Sequence, residues 1–280
     1  MGDEKVADRL AGLVAMSSDD ERLDTLMRRT CGRALSLHPL PVEVEWVDGA
    51  GERESMVAAF AEQFAVDVSG ISENQRKQFQ AALGDNAFRT VVMMFVADFV
   101  PRVWAGFEAL GLRKHGNGGT VEWDHDSDPV DALLNGFLPA VARLRALDPL
   151  TTEVVRLRGA AAHNCRLCKS RRETTALDAG GSEDLYLEIE QYESAEKLTD
   201  AQKAALRYVD ALIWSPSAIG ADVAKGVRKQ FSEEQAFELT LDVMRNAANK
   251  IMVSLGVDAP LVEEGIELFS VEADGQTVSR

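Results

Sequence analysis

The sequence is poor in the residue types that disulfide frameworks, signal sequences and membrane spans require. Its 280 residues include only three cysteines and eight prolines, and aromatic residues make up 6%. Three cysteines cannot build the disulfide framework of a small secreted domain. No uninterrupted apolar run approaches about 18 residues, so no membrane span is predicted. The first residues lack the basic start and apolar run of a secretory signal, so we expect a cytoplasmic protein.

The sequence also has fewer basic than acidic residues. Asp and Glu number 46 against 30 Lys and Arg, which gives a formal net charge of -16. Such a chain repels nucleic acid and anionic membranes unless its positive charge is gathered locally, so neither is expected as a partner. The hydrophobic content of 46% and charged content of 27% are ordinary for a soluble globular protein.

Helical periodicity dominates the sequence and predicts an all-α fold, a helical bundle. The clearest segment is 232–255, where Ser232 and Gln235 have the spacing of a capping box. Apolar residues then recur at intervals of three and four, and Gly256 follows as a helix stop. Shorter helices are predicted at 3–16, 18–37, 53–67, 72–84, 129–146, 150–163, 165–179, 182–193, 199–214 and 218–230.

Two features interrupt this pattern. Segment 86–110 has the periodicity of a long helix, but it contains Pro101, which we expect to kink or break the helix near Asp98. Residues Val42 to Val47 alternate between apolar and acidic side chains before a turn dipeptide, which predicts a short extended excursion.

A polar, glycine-rich stretch divides the chain into two parts. We interpret 113–128 as a linker between an N-terminal helical domain, 1–112, and a C-terminal domain, 129–280. In each part an Ala-Phe pair opens a long apolar helix that ends at Leu-Gly. One interpretation is a duplicated helical unit whose first copy has lost its cysteine pair; chance similarity between helices is the other.

The pair Cys165 and Cys168 is the most informative motif. Spacing by three on a helix puts both sulfurs on one face. Asn164 is a suitable N-cap residue, so the pair is predicted to open a helix, with Cys165 at the positive end of the dipole. That position favours the thiolate, which is the nucleophilic form.

The charge around the pair agrees with this interpretation. Four cations follow within seven residues, namely Arg166, Lys169, Arg171 and Arg172. Cations lower the pKa of a thiol, a thiolate attacks peroxide or disulfide, and a second thiol in reach can then close a disulfide.

Two other interpretations of the pair stay open. Free cysteines are often small buried hydrophobes. The other interpretation is half of a zinc site, but no second CxxC follows, and His125 and His163 lie at no standard ligand spacing. We therefore predict neither a metal nor a cofactor.

The segment from Glu153 to Gly180 resembles the carboxymuconolactone decarboxylase superfamily, and within it the alkylhydroperoxidase D-like branch. That branch has a Glu twelve residues before a CxxC, followed by an Ala-Gly helix stop, and this sequence has both. The helix opened by Leu198-Thr199-Asp200 and the last long helix fit as well. The resemblance covers about 127–257 and implies an alkylhydroperoxidase D-like helical bundle that forms homo-oligomers.

The resemblance also implies roles for individual residues. Cys168 corresponds to the thiol that attacks peroxide, Cys165 to the resolving thiol, and Glu153 to the group that accepts its proton. The His position of the family is Arg172 here. Arginine does not shuttle protons near neutral pH, although it can stabilise a thiolate or bind an anion. His163 is an alternative base, or an ordinary helix-end residue.

Two residues have simpler interpretations than a catalytic one. Glu153 also fits as an ordinary acid in the first turn of a helix, and Cys31 is expected to be a buried, inert thiol or the remnant of a first site.

The sequence leaves three functions open. The first function is a thiol peroxidase or disulfide reductase, acting on a hydroperoxide and recycled by a thiol or dithiol reductant protein. The second is a decarboxylase-like lyase with Arg172 and its neighbours as a clamp for a small organic substrate. The third is a non-catalytic helical oligomer.

Overall fold

Helices make up most of the fold. The computed structural model describes residues 2–45, 51–112 and 121–280, and 68% of the chain is helical against 5% in strands. The predicted all-α fold class is therefore confirmed. The α-helices are α1 (Gly2–Ala15), α2 (Glu21–Ala34), α3 (Glu52–Val66), α4 (Glu73–Leu83), α5 (Ala87–Leu110), α6 (Pro129–Asp131), α7 (Leu138–Ala142), α8 (Pro149–Ala162), α9 (Arg166–Lys169), α10 (Thr174–Asp178), α11 (Glu183–Tyr186), α12 (Asp200–Trp214), α13 (Ala221–Gln230), α14 (Glu233–Ala247) and α15 (Asn249–Leu255). Short 3₁₀ or π segments lie at Val68–Gly70, Gly84–Asn86, Ala132–Phe137, Leu187–Ser194 and Pro216–Ala218, and the strands are β1 (Arg171–Glu173), β2 (Glu267–Val271) and β3 (Thr277–Ser279).

Local capping signals place the ends of the last long helical segment. Ser232 and Gln235 form the predicted capping box, in which each side chain bonds to the backbone N–H of the other residue. Gly256 ends α15 with φ of 73°, in the left-handed region that glycine tolerates best. Both predictions are confirmed, although the segment is divided at Ala248 into α14 and α15.

Helix α5 lies at the centre of the core and continues through Pro101. The predicted break near Asp98 does not occur, although a proline inside a helix costs about 3 kcal/mol. Helices α2, α13, α14 and α15 pack against α5, and an ion pair of 2.8 Å from Asp98 to Arg102 spans the proline. The segment Glu73–Leu110 is apolar and long enough to cross a membrane, but 89% of its apolar window is buried, as in the core helix of a soluble protein.

A small sheet replaces part of a predicted helix. The prediction of one helix over 165–179 is wrong, because β1 interrupts it and pairs in parallel with β2, which pairs with β3 in antiparallel fashion. Pairing with a strand nearly a hundred residues away overrides the local helical preference. At the predicted excursion, 42–45 form no strand. Residues 46–47, and 113–120 of the predicted linker, lie outside the described residues.

Two series of helices repeat in order and length along the chain. Helices α3 and α12 begin 148 positions apart, at 52 and 200, and have 15 residues each. The 3₁₀ segments after them begin at 68 and 216, and the next helices at 73 and 221, so this spacing is kept. A duplication would produce this correspondence, and the duplication and the domain boundaries both stay predictions.

The preceding helices, α2 and α8, also resemble each other, but they begin 128 positions apart and not 148. Each has 14 residues and an aspartate N-cap, and each is followed by a non-glycine residue with positive φ, Ser36 at 55° and Asn164 at 52°. These residues lie 128 positions apart. The same spacing places leucines, at positions 37 and 40, where the second series has Cys165 and Cys168.

One hydrophobic core contains residues from both predicted domains. At its centre Arg102 joins the two helical series, since its guanidinium donates to the carbonyl oxygens of Ala65 at 2.7 Å and Ile213 at 2.5 Å. These carbonyls occupy corresponding positions in α3 and α12. Asp98 pairs with Arg102 and also with the buried ammonium group of Lys250. The two halves therefore pack together around a buried cluster of charges.

Candidate functional site

A tight turn after α8 positions the cysteine pair. Asn164 takes a left-handed conformation, and its Oδ1 accepts a hydrogen bond of 2.7 Å from Lys169 Nζ. Cys165 is the N-cap of α9, because its sulfur accepts the backbone N–H of Cys168 at 3.3 Å. The prediction that Asn164 caps this helix is therefore wrong by one residue, since a left-handed residue cannot adopt the extended conformation of an N-cap.

The two sulfurs lie close together and are not bonded. Their Sγ atoms are 2.7 Å apart, and a disulfide bond measures about 2.05 Å, so both cysteines are free thiols. Cys165 is 0% exposed, whereas Cys168 is partly exposed and lines a cavity. The pair thus has one accessible sulfur and one sulfur held behind it.

Electrostatics favour the thiolate form of Cys168. A hydrogen bond from the thiol of Cys165 lowers the pKa of Cys168 from 9.0 to about 7, with help from Arg156, Asn249 and Arg171, while burial opposes the shift. The same hydrogen bond and burial raise the pKa of Cys165. The lowered pKa therefore lies on Cys168, whereas the helix-terminus argument placed it on Cys165. Cys165 donates the hydrogen bond between the two sulfurs, and the roles of the two cysteines stay a prediction.

Glu153 reaches the dithiol through an arginine. Its buried carboxylate accepts hydrogen bonds from Arg156 at 2.6 and 2.7 Å and from the backbone N–H of Glu173 at 3.2 Å. Arg156 in turn donates to the carbonyl oxygens of Cys168 at 2.8 Å and Arg171 at 2.7 Å. Glu153 therefore holds the arginine that shapes the turn, and its predicted role as proton acceptor stays a prediction.

Arg172 lies beside the site but is turned away from the cavity. Its guanidinium pairs with both carboxylate oxygens of Glu183 at 2.7 and 2.8 Å and lies over the ring of Tyr186. Neighbouring residues of a strand point to opposite faces. For this reason Arg171, and not Arg172, lines the cavity beside Cys168.

His163 is buried behind the dithiol. Its Nδ1 lies 2.9 Å from Asn249 Oδ1, and the amide of Asn249 also hydrogen-bonds to the sulfur of Cys168. Burial and the charges of Lys250 and Arg102 lower the pKa of His163 well below 6.5. A neutral imidazole is thus linked to Cys168 through Asn249.

Two residues of the site were missed by the sequence-based assignment. Arg156 follows Glu153 by three positions on one helix, a spacing typical of ion pairs, so this pair offered a signal. Asn249 lies 84 positions after Cys165 and offered no local signal.

One cavity has Cys168 in its wall, and a second cavity shares part of that wall. The larger, of about 530 Å³, is lined by Cys168 and by residues of α14, α15 and the C-terminal strands. The smaller, of about 90 Å³, is lined among others by Glu238 and Asp242 of α14. Burial raises the pKa of Glu238 to about 7 and that of Asp242 to about 6. Arg156 and Arg245 line both cavities.

Among the described residues, one group has the donor atoms of a metal site. Glu21, Glu43 and His125 bring one potential ligand atom each to within 4.8 Å of one another. His125 Nε2 lies 2.9 Å from Glu43 Oε1, so these two residues already form an ion pair when the histidine is protonated. The dithiol does not take part in this group.

The fold and the site define an all-helical protein with a pair of unbonded cysteines beside a cavity. No family model and no solved structure matches the chain. The chain is 56% identical over 276 residues to the uncharacterized proteins MT2376 and Rv2313c of two Mycobacterium tuberculosis strains, CDC 1551 / Oshkosh and ATCC 25618 / H37Rv. The match covers 98% of this chain and 97% of each relative. The chain belongs to the family of these mycobacterial proteins.

Proposed function

We propose that the protein is a thiol-dependent peroxidase that reduces hydroperoxides through Cys168 and Cys165. The observation that supports this most is the asymmetry of the pair: a thiolate-favouring sulfur at the cavity wall, with a protonated sulfur 2.7 Å behind it. Peroxide reduction needs a nucleophilic sulfur in contact with substrate and a second thiol that reaches it without large movement. A disulfide substrate would be attacked by the same sulfur.

The reaction has two steps. The Cys168 thiolate attacks the terminal oxygen of the hydroperoxide, so an S–O bond forms, the O–O bond breaks, and the alkoxide leaves as an alcohol after taking a proton. Cys165 then loses its proton and attacks the sulfenic sulfur of Cys168, which forms the disulfide and releases hydroxide that is protonated to water. A dithiol reductant protein restores both thiols by exchange and is itself oxidised.

Other residues position this pair. Arg156 holds the carbonyl oxygen of Cys168 and contributes positive charge, Glu153 orients Arg156, and Asn249 donates to the Cys168 sulfur. His163 orients the amide of Asn249. We place the activity in the cytoplasm, where thiols stay reduced, and expect a homo-oligomer.

Steady-state consumption of a hydroperoxide with a dithiol reductant tests the proposal. We expect Cys168→Ser to abolish turnover. Cys165→Ser should leave Cys168 as a sulfenic acid or mixed disulfide, detected as a mass increase or a dimedone adduct. Cys31→Ser serves as the matched control and should retain turnover. Full turnover in both site variants would contradict the proposal.

A decarboxylase-like lyase is the second candidate, because arginines line the cavity and a lyase of this kind binds an anionic lactone. Arg172 does not line the cavity and is paired with Glu183, so Arg171 and Arg245, which do line it, would form this clamp instead. Lyase activity should survive complete alkylation of the thiols, whereas peroxidase activity should not.

A further inference from the structure

The cavity in front of Cys168 is lined by arginines in a strongly acidic protein. Three arginines, Arg156, Arg171 and Arg245, contribute to its wall. No aspartate or glutamate is among the described residues that line it. Each arginine is also paired with a carboxylate that does not line the cavity, namely Glu153, Glu267 and Asp242. The side chains that face the cavity are therefore arginines without acidic neighbours in its wall, and guanidinium groups bind anionic oxygens.

Two hydrogen-bond donors in this wall have no acceptor. Asn246 Nδ2 and Arg171 Nε are buried and make no hydrogen bond in the described structure, although Glu267 Oε2 lies 3.3 Å from Arg171 Nε in an ion pair. Buried donors in folded proteins normally have hydrogen-bond partners. Arg245 lies in the same wall and forms an ion pair of 3.6 Å with Asp242, which is longer than a hydrogen bond. The two orphaned donors, with Arg245 beside them, therefore suit the oxygens of an anionic group.

The rest of the cavity wall is apolar and partly open to solvent. Phe88 of α5 contributes to it and is 41% exposed. Leu134, Leu138, Ile251 and Met252 also contribute. A volume of about 530 Å³ lies in the range of small-molecule sites. This wall suits a hydrocarbon chain.

We propose that the cavity binds an amphipathic organic carboxylate and that the hydroperoxide of such an acid is the substrate. The carboxylate would bind at Arg171, Arg245 and Asn246, and the hydrocarbon chain would cover the apolar wall. The hydroperoxide group would then lie at the sulfur of Cys168. This inference rests on the proposed peroxidase function for its chemical step, which converts the hydroperoxy acid to the hydroxy acid while the two thiols become a disulfide.

Other ligands fit the cavity less well. A small neutral hydroperoxide leaves the buried donors without acceptors, and leaving such groups unpaired weakens binding. A small inorganic anion leaves the apolar wall uncovered. An acid with a hydrocarbon chain satisfies both parts of the wall at once.

Binding of an unreactive ligand tests the ligand class separately from catalysis. Calorimetric titration of the reduced protein should show that dodecanoate binds about 10-fold or more tightly than dodecan-1-ol, which has the same chain without the charge. Arg245→Gln should weaken dodecanoate binding by about 10-fold and leave dodecan-1-ol binding unchanged. Phe88→Gln should weaken the binding of both ligands. Arg207→Gln is the matched control, because Arg207 pairs with Glu193 on the surface and lines neither of the two cavities described above.

Turnover then tests the substrate class. We expect a higher kcat/KM for the hydroperoxide of linoleic acid than for that of its methyl ester, by about 10-fold, and we expect Arg245→Gln to remove the difference. If circular dichroism shows that this variant is unfolded, Arg171→Gln takes its place. Equal kcat/KM for acid and ester, together with equal binding of dodecanoate and dodecan-1-ol, would overturn this inference while leaving the peroxidase intact. Tight dodecanoate binding with no consumption of any hydroperoxide would refute the peroxidase and support the ligand class.

Discussion

Replacing Cys165 by alanine should raise the pKa of Cys168, because the thiol of Cys165 is the largest cause of the lowered value. Cys165→Ser is the matched variant, since a hydroxyl can still donate a hydrogen bond to the Cys168 sulfur. Comparing the two variants therefore separates the effect of the hydrogen bond on the pKa of Cys168 from the effect of replacing the Cys165 side chain.

The size of the effect follows from the structure. The pKa of Cys168 is lowered from 9.0 to about 7, and a shift of two units corresponds to about 3 kcal/mol. Arg156, Asn249 and Arg171 share this stabilisation of the thiolate with Cys165. Loss of the largest contribution should raise the pKa by about one unit or more, which reduces the thiolate fraction at pH 7 from about one half to about one tenth.

The pH dependence of alkylation by iodoacetamide, followed by mass spectrometry of the peptide, measures this pKa. Since the thiolate is the reactive form, the rate should rise with pH, with a midpoint near 7 in the wild-type protein and near 8 or above in Cys165→Ala. Cys31 does not interfere, because burial raises its pKa and removes it from solvent. A Cys165→Ala midpoint equal to the wild-type value would refute the reasoning, as would a Cys165→Ser midpoint as high as that of Cys165→Ala.

Three further predictions concern the surrounding structure. Glu238→Gln should stabilise the fold at pH 8 by about 1 kcal/mol but not at pH 4. Burial raises the pKa of Glu238 to about 7, so the stability that depends on its protonation is lost as the pH rises through that value, and the neutral amide avoids this loss. Equal changes in melting temperature at both pH values would contradict this prediction. Arg102→Met should lower the free energy of unfolding by about 3–5 kcal/mol, since it leaves two buried carbonyls and part of Asp98 unpaired, and a urea titration that shows no change would count against it. Cys31→Ala should lower stability by about 1–2 kcal/mol, because the side chain is fully buried, and should leave hydroperoxide consumption unchanged; a fall in turnover would give Cys31 a role that its burial does not suggest.

The helices could be predicted from the sequence because their signals are local. Ser232 and Gln235 lie within one turn of each other, and the apolar repeat that follows needs no information from elsewhere in the chain. The continuity of α5 through Pro101 could not be predicted in this way, since the packing that overcomes the proline comes from helices distant in sequence.

The chemistry of the dithiol was also partly predictable. The spacing of Cys165 and Cys168 and the nearby cations indicate an activated sulfur, and the resemblance to the carboxymuconolactone decarboxylase superfamily assigned that role to Cys168. Which of Arg171 and Arg172 faces the cavity depends on whether their segment is a helix or a strand. Pairing of β1 with β2 decides it, and β2 begins 94 residues after the end of β1.

The most direct test of the dithiol account is the mass of the reduced protein after one equivalent of hydroperoxide is added without reductant. We expect a loss of about two mass units per chain, the mass of two hydrogens, with a disulfide between Cys165 and Cys168 in the peptide map and Cys31 still available for alkylation after unfolding. An unchanged mass with three free thiols, while the hydroperoxide remains in solution, would contradict it.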